Sequence, residues 1–268
     1  MIPNILSIAG SDPSGGAGIQ ADLKAIGANG GYGMAAITAL TVQNTQGVRG
    51  AELVAPALVA DQIRAIREDI RIDAVKIGML GSAAIVEAVA GALAGLDAPV
   101  VLDPVMVAKG GDRLLAEEAV AALSAHLMPM AAAITPNLPE AADLLGRPEA
   151  QDRFGMEAQA EALLALGPRA VLLKGGHLSG SDSPDLLLDP TGRVWFEGPR
   201  IDSPNTHGTG CTLSSALATW LARTGEMRPA AEAARTYTRA AIMGAAALSV
   251  GHGHGPTDHF FALRNLPV

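Results

Sequence analysis

Short, near-continuously apolar runs alternate along this chain with stretches whose apolar residues recur at helical spacing, and that alternation limits the folds open to it. Ile5 to Ala9, Ala35 to Val42, Ala74 to Ile77, Val100 to Leu102, Ala132 to Thr135 and Ala170 to Leu173 read as buried strands. Apolar residues on consecutive positions suit a strand covered on both faces, as in a parallel sheet. Between the runs, Val59, Ile63, Ile66 and Ile70, then Val86, Val89 and Leu93, then Ala116, Val120, Leu123 and Leu127 each mark one helix face. Strand and helix in turn predict an α/β fold with a mainly parallel central sheet, right-handed crossovers and helices on both faces. Sites in such folds gather beyond the carboxyl ends of the strands. Near the C-terminal third the pattern changes. Leu186 to Leu188, the turn Asp189-Pro190-Thr191-Gly192 and Val194 to Phe196 predict a small antiparallel hairpin, and two long Ala-rich helices follow. No internal repeat, charge run or low-complexity linker divides the chain, so one domain over residues 1–268 is expected.

The most informative local stretch is Asn205-Thr206-His207-Gly208-Thr209-Gly210-Cys211-Thr212-Leu213-Ser214-Ser215, where two glycines and small hydroxyl residues open onto an Ala/Leu-rich run. Gly208 and Gly210 let the backbone turn tightly, and the first amides of the helix, lacking partners within it, point at any anion placed there. Cys211, the only cysteine, falls in that first turn, where the positive end of the helix favours a thiolate. The plain alternative is a glycine loop ahead of a buried helix, with Cys211 a small core residue.

A formal charge of −8 argues against nucleic acid or an anionic membrane as the main partner, so an anionic ligand would need a local site. One cysteine excludes an intrachain disulfide. The start Met1-Ile2-Pro3-Asn4 lacks the features of a signal peptide and no apolar run reaches membrane-spanning length, which makes the cytoplasm the expected location. Positive charge is written almost wholly as arginine; the four lysines are Lys24, Lys76, Lys109 and Lys174, and the last three lie in glycine-bearing segments that suit compact cations near a ligand.

Candidate chemistry clusters at strand ends. After the first strand, Gly16-Ala17-Gly18-Ile19-Gln20-Ala21 spells G-x-G-x-x-A, but the second strand ends Thr41-Val42-Gln43-Asn44 without the acid a dinucleotide fold wants. These glycines instead let Asp22 and Gln43 converge on a small polar ligand, since an amide and a carboxylate together read an aminopyrimidine-like edge. Asp103 follows one strand, and Asn137 and Glu140 follow another; carboxylates there suit Mg²⁺, although Glu140 also reads as a first-turn helix acid. His252-Gly253-His254-Gly255 with Asp258 and His259 matches no standard zinc spacing and reads as a glycine-rich loop. A phosphate-binding helix start, strand-end carboxylates, a lysine and a polar acceptor pocket together describe phosphoryl transfer, yet neither a P-loop nor the protein-kinase motif set is present.

Ala9-Gly10-Ser11-Asp12-Pro13-Ser14-Gly15-Gly16-Ala17-Gly18-Ile19-Gln20-Ala21-Asp22-Leu23-Lys24, Ile37 to Thr45, Lys76-Ile77-Gly78-Met79-Leu80, Ile134 to Ala141, Lys174-Gly175-Gly176-His177 and His207 to Ser214 closely resemble the hydroxymethylpyrimidine and phosphomethylpyrimidine kinases of thiamine biosynthesis, within the ribokinase-like superfamily. The resemblance covers essentially the whole chain. It implies a ribokinase-like fold, usually a homodimer, with ATP and Mg²⁺ as cofactors. It also implies phosphorylation of 4-amino-5-hydroxymethyl-2-methylpyrimidine and then of its monophosphate. On the matching positions, Gln43 and Asp22 would hold the pyrimidine, with Gly10, Val42 and Met79 lining its pocket. The amides of Gly208, Thr209, Gly210 and Cys211 would bind the transferring phosphoryl group. Asp103 and Glu140 would serve the metal, and Lys174, Asn137 and Thr206 the nucleotide. Lys109 is assigned to the monophosphate of the second step. Most of the superfamily carries Asp where this chain has Cys211, so a thiolate general base assisting the amide cradle is expected. A pyridoxal-type kinase of the same superfamily and a noncatalytic pyrimidine- or nucleotide-binding regulator are the alternatives.

Overall fold

The computed structural model describes residues 1–106 and 117–265. Among these the elements are β1 (Asn4–Ser11), α1 (Gly18–Ala28), β2 (Tyr32–Asn44), β3 (Gly47–Leu53), α2 (Pro56–Asp69), β4 (Ala74–Ile77), α3 (Ala83–Leu93), β5 (Val100–Leu102), α4 (Glu117–Ala122), β6 (Ala131–Ile134), α5 (Leu138–Leu145), α6 (Arg153–Leu164), β7 (Val171–Lys174), β8 (Asp185–Asp189), β9 (Gly192–Phe196), α7 (Thr209–Thr224) and α8 (Met227–Gly244). Each of the six apolar runs becomes a strand of one sheet, in the order β3-β2-β1-β4-β5-β6-β7-β8-β9. Pairings from β2 across to β7 are parallel. Both ends of the sheet are antiparallel.

The hairpin β8–β9 forms as the sequence predicts, and β8 also pairs with β7, extending the main sheet with Leu186 and Leu187 buried. One strand departs from the sequence reading. At the other end, β3 pairs antiparallel with β2 from Ala39 to Asn44. Its sequence, Gly47-Val-Arg-Gly-Ala-Glu-Leu, is largely exposed and so carries neither apolar pattern that marks a covered strand. The helix marked by Val120, Leu123 and Leu127 forms as α4 and a following π turn, while Ala116 lies outside the described residues.

Side chains alternate across the central strands and make two unlike faces. Leu6, Val75, Ile77, Leu102, Ile134 and Leu173 meet the apolar faces of α2, α3, α5 and α6. Ile5, Ala74, Val101, Ala133, Ala170 and Leu172 face the other way, against Ile26 of α1, Leu213, Ala216 and Leu217 of α7, and Ala230, Ala231 and Ala234 of α8. That second face is rich in alanine. Small side chains on both partners let α7 lie close to the sheet, and its residues from Thr212 to Thr219 are buried throughout.

The chain beyond α8 returns as a strap over the start of α7. His254 N donates to the Thr45 carbonyl (2.9 Å) and His207 N to the Gly255 carbonyl (3.0 Å), joining the β2–β3 turn to the loop before α7. The Gly-His-Gly segment therefore acts as a close-packed loop, and among the described residues no group of three or more His, Cys, Asp or Glu is placed to hold a metal ion. Gly253 has no space for a side chain, since a Cβ there would stand 2.0 Å from the Thr45 carbonyl oxygen. Gly253→Ala is expected to lower the calorimetric melting temperature by roughly 3–9 °C. Gly91→Ala, on an α3 position where a Cβ meets nothing within 4 Å, is expected to leave it unchanged or raise it slightly.

Candidate active site

A cavity of about 660 Å³ opens beyond the carboxyl ends of the parallel strands. Gly10, Asp103, Glu140, Lys174 and the residues from Thr206 to Cys211 all border it. Each follows or ends a strand, apart from Glu140 in the first turn of α5 and the segment that starts α7.

Gly208 is the N-cap of α7 with φ 74°, and a Cβ on it would stand 1.8 Å from the Gly16 carbonyl oxygen, so only glycine fits. This contact sets α7 against the loop after β1. The Thr209 amide bonds the Thr206 carbonyl at 3.4 Å, whereas the amides of Gly210 and Cys211 find no acceptor among the described residues. Two free amides thus stand at the positive end of a sixteen-residue helix, both from residues that border the cavity, which is the arrangement an anion site requires.

Acidic and basic groups converge beside it. Lys174 Nζ lies 3.3 Å from Asp103 Oδ1 and 3.8 Å from Glu140 Oε2. Asp103 also accepts from Thr135 Oγ1 (3.0 Å) and Ser214 Oγ (3.4 Å), which fixes its carboxylate between β6 and α7. Glu140 has two roles that the sequence reading kept apart. It closes a capping box on α5, with Glu140 N donating to Asn137 Oδ1 and Asn137 N to Glu140 Oε2 (both 2.8 Å), and it also borders the cavity. Asn137 is thus a helix cap as well as a cavity residue. Burial pushes the Glu140 carboxyl up to about 7; Lys174 pulls it down and Asp103 pushes it further up. Burial alone would lower the Lys174 ammonium, but Asp103 and Glu140 hold it above its ordinary value. Two carboxylates sharing one cation suit a divalent ion that takes one or two protein oxygens and completes its shell with phosphate and water.

Cys211 departs from its expected state. Burial pushes its thiol up to about 11; Lys76 and the Gly18 amide pull it down, while Asp22 and Asp103 push it up. The helix end does not outweigh desolvation and two nearby carboxylates. Cys211 therefore rests as a thiol, not as the thiolate expected of a general base.

Gly10, Thr41, Gln43 and Met79 also border the cavity. Asp22 and Val42 do not join them. Val42 is 62% exposed, because successive side chains of β2 point to opposite faces and Gln43 takes the cavity side. Asp22 is sealed below the site, where its carboxylate accepts from Ser7, Ser215 and Lys76. Thr206 borders the cavity, and its carbonyl accepts from Thr209 Oγ1 at 2.8 Å. Lys109 lies outside the described residues.

Asp12 and His207 are among the cavity residues that the sequence reading left unassigned. Asp12 accepts from the amides of Ser14 and Ala17 (2.9 Å each), and His207 Nε2 lies 2.8 Å from its Oδ2. Burial raises the Asp12 carboxyl, yet the bonds from His207 and Ser14 hold it below its ordinary value. An ionised Asp12 only accepts, so the proton between the pair is on His207 Nε2. Gln43 Nε2 lies 3.3 Å from that same nitrogen, but with the proton on His207 both are donors, so the two are neighbours and not hydrogen-bonded. Asp12 in Ser11-Asp12-Pro13-Ser14 carries an Asx-turn signal, but nothing local announces a partner 195 positions away.

The phosphomethylpyrimidine kinase family model matches residues 12–258. The chain belongs to that family. Among the phosphomethylpyrimidine kinases it is 51% identical to the hydroxymethylpyrimidine/phosphomethylpyrimidine kinase of Escherichia coli (strain K12), over 97% of this chain and 98% of that one. It is 49% identical to the enzyme of the same name from Streptomyces coelicolor, over 97% and 96%. Among solved structures, an ADP complex of Bacillus subtilis pyridoxal kinase aligns with a TM-score of 0.90 at 37% identity, covering 99% of this chain and all of that one. A phosphomethylpyrimidine kinase from Clostridium difficile aligns at 0.79 with 41% identity, covering 90% and 99%. The protein is a kinase with a ribokinase-like fold.

A resting thiol has a chemical consequence. At pH 7.5 the ligand-free protein is expected to react with iodoacetamide on the order of ten-fold more slowly than a free cysteine, with the rate rising until the pH passes about 11. Mass spectrometry of Cys211 over a pH series checks this, and a rate that levels off below pH 8 would contradict it.

Proposed function

We propose that this kinase phosphorylates the hydroxymethyl group of 4-amino-5-hydroxymethyl-2-methylpyrimidine from ATP, then phosphorylates the resulting monophosphate, as a step of thiamine biosynthesis carried out by one domain over residues 1–268. One observation carries the reading: a single cavity is bordered both by an amide side chain, Gln43, and by the free amides of α7. Gln43 offers a donor and an acceptor to the amino-nitrogen edge of the pyrimidine. Gly10 and Met79 flank the ring. The amides from Gly208 to Cys211 hold the transferring phosphoryl group, and Lys174 balances its charge, with Asn137 and Thr206 on the nucleotide side.

Asp103 and Glu140 would hold Mg²⁺, which when bound neutralises phosphate charge and sets the angle of approach. With that charge added, Glu140 ionises fully. A loose phosphoryl-transfer transition state asks little of a base, so Cys211 as a thiol bordering the cradle is compatible with turnover. The 51% identity to an enzyme named for the pyrimidine favours it over pyridoxal as acceptor. The close structural likeness to pyridoxal kinases makes pyridoxal the comparison to run.

The test is a mass-resolved assay of purified protein with ATP, Mg²⁺ and the pyrimidine, run beside pyridoxal. Monophosphate followed by diphosphate is the expected outcome. Monophosphate alone would remove the second step, and pyridoxal phosphate alone would replace the substrate. In the same assay Lys109→Ala is expected to slow the second step more than the first; equal losses would remove Lys109 from the monophosphate site.

The reading also makes the protein a cytoplasmic homodimer. Leu40 and Val42, 54% and 62% exposed on one face of β2, are the surface on which a second copy would pack. Light scattering is expected to give twice the 27.2 kDa chain mass, and Val42→Glu to shift it toward the monomer.

A further inference from the structure

Lys76 and Asp22 form an ion pair in which both side chains are 0% exposed. Lys76 lies in the middle of β4, where its neighbours Val75 and Ile77 join the α2–α3 face of the core, so Lys76 points the other way, between α1 and α7. Its Nζ lies 2.9 Å from both Asp22 oxygens. Ser7 Oγ of β1 donates to Asp22 Oδ2 (2.6 Å) and Ser215 Oγ of α7 to Oδ1 (2.8 Å). A sealed pair of this kind is poor value as a source of stability, because apolar residues of similar volume would serve as well.

The pair is also asymmetric. Lys76 borders the cavity and Asp22 does not. Two hydroxyl donors, one from β1 and one from α7, spread the negative charge of Asp22. Two Lys76 N–H groups are taken by Asp22, and no group among the described residues accepts the third. Small residues keep the cavity side thin: a Cβ on Gly78 would stand 2.7 Å from Lys76 Nζ. Burial lowers the Lys76 ammonium, but the Asp22 carboxylate, helped by Asp103, more than restores it, so it stays charged.

We propose that the Lys76–Asp22 pair is a fixed dipole beneath the cavity floor, its positive end toward the start of α7, that stabilises the negative charge gathering at the Gly208–Cys211 cradle during phosphoryl transfer. It touches neither substrate, so Lys76 is a positioning residue and not a catalytic one. In a water-excluded site a dipole set before the reaction needs no reorganisation, which is where such charges act most strongly. The proposal rests on the kinase reading of the site but not on the identity of the acceptor.

The test is Lys76→Met/Asp22→Asn, which removes both charges and keeps an amide that can bond Ser7 and Ser215. With the alcohol that the wild type phosphorylates, whether the pyrimidine or pyridoxal, kcat is expected to fall about 100-fold while KM for ATP and acceptor change less than about three-fold. Binding of ADP with Mg²⁺ is expected to hold, and the added affinity for ADP with aluminium fluoride and acceptor to drop about as much as kcat. A folded double variant with kcat within about three-fold of wild type would overturn the proposal. Ser215→Ala, a small change in the core, keeps it decidable if the double variant does not fold: withdrawing one donor draws the ammonium closer to Asp22, and kcat is expected to fall several-fold at unchanged KM. An unchanged kcat there also counts against the dipole. Failure of the wild type to use the pyrimidine would instead remove the substrate reading and leave this ratio measurable on pyridoxal.

Discussion

The site depends on how closely α7 lies against the sheet. Ala74, Val101 and Ala133 on the strands meet Ala216 and Leu217 on the helix, and that small-residue contact brings the start of α7 level with the strand ends. At its tip the fit is tighter still. A Cβ on Gly210 would stand 3.3 Å from both Asp103 Oδ2 and Lys174 Nζ, so the free amides lie directly beside the strand-end charges. A bulkier residue at Ala74 or Ala133 would lift the helix and with it the anion site, because a close-packed interior passes strain along instead of absorbing it.

With a net charge of −8, the protein has no general attraction for phosphate and builds a local one from few parts. Among the described residues two lysines border the cavity, each neutralised by carboxylates in a different way. Lys76 is locked to a single partner in the sealed core, a fixed arrangement. Lys174, with a side chain 15% exposed, is shared between Asp103 and Glu140, whose carboxyl is pushed up by burial. The second cluster therefore lies open to the cavity, whereas the first is sealed in the core.

What the sequence disclosed follows from which interactions are local. Continuous apolar runs marked the parallel strands because coverage on both faces is written into consecutive positions. The glycine junction at Gly208 was legible because a tight turn onto a helix has a local chemistry. β3 left no mark, as an exposed edge strand needs no apolar period. Asp22 was misplaced because its spacing puts it on α1 but says nothing of Lys76, Ser7 and Ser215, which converge on it from three other elements. Val42 was misplaced by one residue, and in a strand one residue is the difference between cavity and solvent. Cys211 was read from its helix position alone, while its proton is decided by burial and by carboxylates distant in the chain.

The residues that border the cavity belong to different parts of the sheet. Gln43 stands on β2, next to the edge strand, and the amide cradle stands on α7 over the sheet centre. Transfer requires the two to keep a fixed separation, since misplacement of reacting groups by about 1 Å costs on the order of 100-fold in rate. Two connections span them. One is the Asp12–His207 bond beside Gln43, and the other is the strap that binds Thr45 through His254 and His207 through Gly255. His207 belongs to both and immediately precedes Gly208. The histidine of the glycine junction thus ties the loop after β1 and the strap to the start of α7, and it fits there because Gly16 has no side chain: a Cβ on it would stand 2.3 Å from the His207 ring.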